Sequence, residues 1–112
     1  MRANPFPMKN LLKNIPENLP TELFETLIKT DKVHIERIVS RGHNSPAEGW
    51  YEQDLTEWVL VLKGAARLGF ADRPEVSMQA GDCLEIPARL KHKVLWTDPQ
   101  QETVWLAVHY PQ

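Results

Sequence analysis

From Val33 to the C-terminus, short runs of apolar and β-branched residues alternate with turn residues. Val33 to Ser40 alternates and is rich in Val and Ile, which suit a pleated, half-buried surface. Further strands are expected over 57–62, 66–70, 76–79, 83–86, 93–97 and 103–110. The punctuation between them is a loop from Gly42 to Glu48, Lys63-Gly64, Ala71-Asp72-Arg73-Pro74, Ala80-Gly81-Asp82, and Asp98-Pro99-Gln100-Gln101. Turn signals roughly every 8–12 residues indicate an all-β sandwich or barrel. Residues 21–30 are ambiguous: Leu23, Phe24, Leu27 and Ile28 fit one helical face, while Phe24, Thr26 and Ile28 alternate like a strand. A short helical turn running into a strand is expected there. Residues 1–20 hold four of the nine prolines and read as an extended arm, leaving 21–112 as the barrel domain.

Because successive side chains of a strand point to opposite faces, parity sorts the residues. Glu57, Val59 and Val61 share one face, with Trp58, Leu60 and Leu62 on the other, so this strand is expected to be buried on both sides. His92, Val94 and Trp96 share a face, as do Trp105, Ala107 and His109. Four Trp in so short a chain imply a dense core or an assembly surface.

Composition narrows the class. A chain of 112 residues makes one domain with one core. At 42% hydrophobic and 25% charged it is an ordinary globular chain. A net charge of −2 argues against nucleic acid as a partner. No apolar run approaches the ~20 residues that span a bilayer, so no membrane partner is expected. The first ten residues lack the apolar stretch of a secretory signal. Cys83, the only cysteine, begins a strand, where burial is the default, and the lack of any intrachain disulfide fits a cytoplasmic setting.

Two segments carry candidate chemistry. Six residues separate Glu57 from Gly64; Gly81 is followed by Pro87 and then His92. This pair, in this order and spacing, resembles the two sequence motifs of the cupin superfamily. The resemblance runs over roughly 33–110 and implies an all-β jelly-roll barrel. Arg89 replaces the second motif's second glycine, and Trp96 stands where that motif usually has Asn. Metal-binding cupins usually place His-x-His just before the first motif's Glu. Here those places hold Tyr51 and Gln53, or Trp50 and Glu52 at the longer spacing.

The expected centre is therefore a polar pocket on Glu57 and His92. A carboxylate among Val59 and Val61 needs a partner, because burying it alone costs several kcal/mol. As a metal set, Glu57 and His92 would be completed by His43, or by Tyr51 or Gln53, with water, holding a divalent zinc, iron, manganese or nickel ion. His92 and Tyr51 are the catalytic candidates, and Gln53, Arg37 and Trp96 the candidates for contacting a small polar ligand. Arg37 has an alternative role, pairing with Glu36 or Glu57. His109 reads as a satisfied core histidine and His34 as solvent-facing.

Three functions remain open: a small metalloprotein, a metal-free acid/base isomerase of the kind this superfamily contains, and a non-catalytic module that binds or senses a sugar or organic acid. The resemblance also implies a homodimer, with the N-terminal arm covering a strand edge.

Overall fold

A computed structural model describes residues 6–112; the first five residues of the expected arm lie outside the described region. Eight strands follow one another: β1 (Leu23–Lys29), β2 (His34–Ser40), β3 (Thr56–Lys63), β4 (Ala65–Phe70), β5 (Val76–Gln79), β6 (Cys83–Ile86), β7 (His92–Thr97) and β8 (Thr103–Tyr110). They form a five-stranded sheet, β1-β2-β8-β3-β6, and a three-stranded sheet, β5-β4-β7. All pairings are antiparallel, and the two sheets face each other as a jelly-roll barrel. The described residues contain no helix, so none that could cross a membrane.

Residues 21–30 correct the sequence reading: there is no helical turn, and the alternation of Phe24 and Thr26 decides the outcome. A bulge at Leu27 then breaks the register with β2, so that Ile28 pairs with Ile35 directly after Thr26 pairs with Glu36. That extra residue is what made the stretch resemble a helical face. Cys83 is the second correction. It lies on β6, the sheet-edge strand, and is exposed.

The core is built from inward positions of both sheets: Val59 and Val61 on β3, Ala66 and Leu68 on β4, and Trp105 and Ala107 on β8, with Met78 and Ile86. β3 passes into β4 through Gly64, whose φ is +93°. A Cβ there would meet the Glu102 carbonyl oxygen at 2.6 Å and the Thr103 hydroxyl at 2.5 Å. Only glycine makes this turn against β8. The turn at Gly81 is likewise left-handed, and its N–H donates to the Val61 carbonyl at 2.7 Å, seating β6 on β3.

Residues 6–22 run as an irregular strap, without helix or strand, and the side chains of Arg37, Arg41 and His43 hold its backbone. Arg37, 1% exposed, pairs with Glu25 and donates to the carbonyls of Leu11 (3.0 Å) and Lys13 (2.8 Å). Arg41 donates to the Glu17 carbonyl and His43 to that of Leu19. These bonds satisfy backbone carbonyls that belong to no strand, which is how a segment without secondary structure stays ordered.

Candidate functional site

At one end of the barrel the apolar packing gives way to a pocket of about 230 Å³. Its walls include Val59, Leu68, Ile86, Val94 and Trp105; its polar groups converge from both sheets. Glu57 and His92 are 9% and 8% exposed, and Glu57 Oε1 lies 3.5 Å from His92 Nε2. The Gln53 amide donates to the same oxygen at 2.9 Å. The other carboxylate oxygen lies 3.8 Å from His109 Nε2, which in turn is 3.2 Å from Glu36 Oε1. Glu57 thus bridges two imidazoles.

Strand register explains the convergence. Glu57 is directly opposite His109 across the β3–β8 ladder, and His109 is opposite His34 across β8–β2. His92 arrives from the other sheet, where it pairs with Phe70. Its backbone exchanges two hydrogen bonds with Tyr51, at 2.8 and 3.0 Å, which holds the Tyr51–Gln53 segment over the pocket mouth. The tilted rings of Tyr51 and His92 are 6.3 Å apart. Arg89 secures the same segment from below. Its φ is +68°, the left-handed region that the motif's glycine would occupy, and its N–H donates to the Gln53 carbonyl at 2.7 Å.

The electrostatics follow from burial and pairing. Burial alone would raise the Glu57 carboxyl; the His92 contact, the charges of His109 and His92, and the Gln53 amide outweigh it and lower its pKa. Burial pushes the His92 imidazole down, but Glu57 and the Leu90 carbonyl bring it above its ordinary value. His109 is raised by its hydrogen bond to Glu36, against burial and with help from the Glu57 and Glu36 charges. His92 Nδ1–H donates to the Leu90 carbonyl at 2.9 Å, which leaves Nε2 as the nitrogen that gains or loses a proton beside Glu57.

Glu57, His92, Tyr51 and Gln53 all line the pocket. Three expected residues do not. His43 lies with the strap: its Nδ1 accepts the Arg41 N–H at 2.9 Å and its Nε2–H goes to the Leu19 carbonyl at 3.1 Å, so neither nitrogen is available to an ion. Arg37 points to the opposite face of β2 from Glu36 and Ile38, which are pocket residues, and its donors serve the strap and Glu25. Trp96 is turned outward by a bulge in β7. Arg67 pairs with Trp96 and Leu68 with Val94, leaving Leu95 unpaired and reversing the parity that linked Trp96 to His92. Gly69 makes this possible, since a Cβ there would lie 3.0 Å from Leu95.

The sequence reading passed over His109 and Glu36 as site residues. Trp105, Ala107 and His109 do alternate, and that parity carried the signal. Its use required knowing that β8 lies beside β3. His34, expected in solvent, is half-buried and touches Thr26 at 3.0 Å.

This architecture and paired motif define a family. The cupin domain family's sequence model matches residues 38–109, and the chain belongs to that family. A solved structure from Ralstonia eutropha JMP134, described as a candidate mannose-6-phosphate isomerase, is 39% identical, with a TM-score of 0.90 over 95% of this chain and 99% of that one. An RmlC-like cupin with a double-stranded β-helix fold from Methanocaldococcus jannaschii is 21% identical, with a TM-score of 0.67 over 87% and 86%. A cupin superfamily protein from Desulfitobacterium hafniense DCB-2 is 19% identical, with a TM-score of 0.72 over 98% and 94%. These last two show the fold alone. No curated protein matches the chain in sequence.

The donor set does not fit the metal that the resemblance implied. Among the described residues, no three His, Cys, Asp or Glu side chains gather so as to hold an ion. His109 Nε2 points at two carboxylates, where it serves as a donor, and Gln53 turns its NH2 rather than its carbonyl toward Glu57. The expected trio of Glu57, His92 and His43 is not assembled, because His43 belongs to the strap.

Proposed function

We propose that the pocket binds a small polar molecule and moves protons on it through Glu57, His92 and His109, without a metal, as a sugar-isomerase type of chemistry. The supporting observation is the Glu57 carboxylate shared by two imidazoles, at 3.5 and 3.8 Å, inside apolar walls. An imidazole is suited to both giving and taking a proton, and the neighbouring carboxylate steadies its charged form. Neutral His92 Nε2 takes a proton from the carbon beside a carbonyl. His109, protonated on Nε2, gives one to the carbonyl oxygen. His92 then returns its proton to the former carbonyl carbon while neutral His109 takes the proton of the neighbouring hydroxyl, which becomes the new carbonyl, and both histidines end as they began. Tyr51 and Gln53 orient the ligand at the mouth. The Ralstonia relative's description names a reaction of this kind.

Deuterium exchange tests the reading. Protein purified without a metal-affinity tag is incubated in D2O with mannose, fructose and their 6-phosphates, and label at the carbon next to the carbonyl is followed by NMR. Incorporation that survives EDTA and is abolished in His92→Gln is expected. Absence of exchange with all four sugars, or exchange only after Mn2+, Fe2+, Ni2+ or Zn2+ is added, overturns it.

A further inference from the structure

The proposed reaction leaves the charge of the ligand open, and the pocket lining decides it. Glu22, Glu36, Glu52 and Glu57 all line the cavity, and among the described residues no Lys or Arg does. The nearby cations among the described residues lie outside it. Arg37 serves the strap on the far face of β2, and Lys93 donates to the Ala47 carbonyl and lies 4.6 Å from the centre of the Trp50 ring. Arg89 extends toward Asp54 at 3.9 Å, and Lys91 is exposed. Even with His92, His109 and His34, which lies 4.0 Å from Glu36, all protonated, four carboxylates face three positive charges. Low-dielectric walls such as Val59, Leu68 and Ile86 focus that field into the cavity instead of dispersing it.

We infer that this pocket takes a donor-rich ligand without negative charge, an uncharged or amino-bearing polyol, and rejects the phosphorylated form of the same molecule. The inference rests on the proposed sugar-handling role of this pocket and sharpens it. Ionised carboxylates only accept hydrogen bonds, so a ligand must bring hydroxyl or ammonium donors to satisfy them. A phosphate brings only acceptors, with negative charge, and the described residues of the cavity supply no guanidinium or ammonium to receive it. A sugar hydroxyl carries the donor that the glutamates need.

The experiment uses one ring in three charge states: mannose, mannosamine and mannose 6-phosphate, titrated into the intact protein at low salt and pH 7.5. The imidazole NMR signals of His92 and His109 report occupancy. Mannose and mannosamine are expected to bind saturably, with mannosamine at least as tight, and mannose 6-phosphate at least about tenfold weaker than mannose. The gap narrows as salt is added. Mannose 6-phosphate binding as tightly as mannose overturns the inference. A second measurement needs no ligand: paramagnetic cosolutes of opposite charge are compared by their relaxation of the Tyr51 and Gln53 amide protons. The cationic probe is expected to dominate, and dominance of the anionic one overturns the inference. If no sugar binds while the cationic probe dominates, the sugar-isomerase proposal fails and the charge preference stands.

Discussion

Glu57 and His92 belong to different sheets, yet their side chains meet at 3.5 Å across the barrel. The contact is therefore tertiary, and it ties proton affinity in the pocket to closure of the fold. His109 joins from the strand next to β3, so one carboxylate sets the charge state of two imidazoles.

Replacing that carboxylate separates the three groups. Glu57→Gln keeps the shape but removes the charge, so the pKa values of His92 and His109 should both fall. Loss of the paired, partly buried charge should also lower stability by about 1–3 kcal/mol. Imidazole NMR titration and urea unfolding measure the two effects. Titration curves for both histidines that superimpose on the unsubstituted protein's would dissolve the cluster.

The pH dependence of stability has a definite sign. His92 and His109 have raised folded-state pKa values, so their contribution is fully present below the unfolded value of about 6.5 and is lost as pH climbs through the folded values. Glu57 is lowered, so its contribution is present above about 4.5 and is lost as pH falls through its folded value. These are two views of one set of contacts and are not added together. Urea midpoints from this cluster should be highest between about pH 4.5 and 6.5 and decline on the alkaline side. A His92→Gln, His109→Gln double variant should flatten that decline; an unchanged slope would assign it elsewhere.

Most of the strands could be read from the chain, because alternation and turn residues are local; the Glu57 and His92 pair, which meets across two sheets, came from the paired motif and its resemblance. What escaped depended on register. A single inserted residue at Leu95 turned Trp96 outward, and another at Leu27 imitated a helical face. Nothing local marks either position as a bulge. His109 and Glu36 are ordinary alternating residues until β8 is known to lie between β2 and β3. Cys83 is exposed because β6 is an edge, which is a property of the whole sheet order.

Arg37 offers a clean division between scaffold and site. Arg37→Ala strips the strap of a guanidinium that caps two carbonyls and leaves Glu25 without that partner, so a loss of about 3–5 kcal/mol is expected. Proteolysis within residues 6–20 should accelerate. Under conditions where the variant remains folded, the His92 and His109 titrations should be unchanged, since Arg37 lies on the other face of β2. A large shift in either would return Arg37 to the pocket.

Arg89 tests whether the motif's missing glycine left strain behind. A non-glycine residue in the left-handed region costs about 1–3 kcal/mol, and Arg89 holds φ at +68° with its side chain 77% exposed. Its 3.9 Å approach to Asp54 lies in solvent and contributes little. Arg89→Gly removes the backbone strain, while the greater freedom of an unfolded glycine takes back roughly 0.5–1 kcal/mol. A net gain of about 1 kcal/mol is expected in urea unfolding. The bond from the residue 89 N–H to the Gln53 carbonyl is a backbone contact and survives the exchange, so the Tyr51–Gln53 segment keeps its place and His92 its titration. Destabilisation would mean that the arginine side chain, and not the backbone alone, supports the mouth of the pocket.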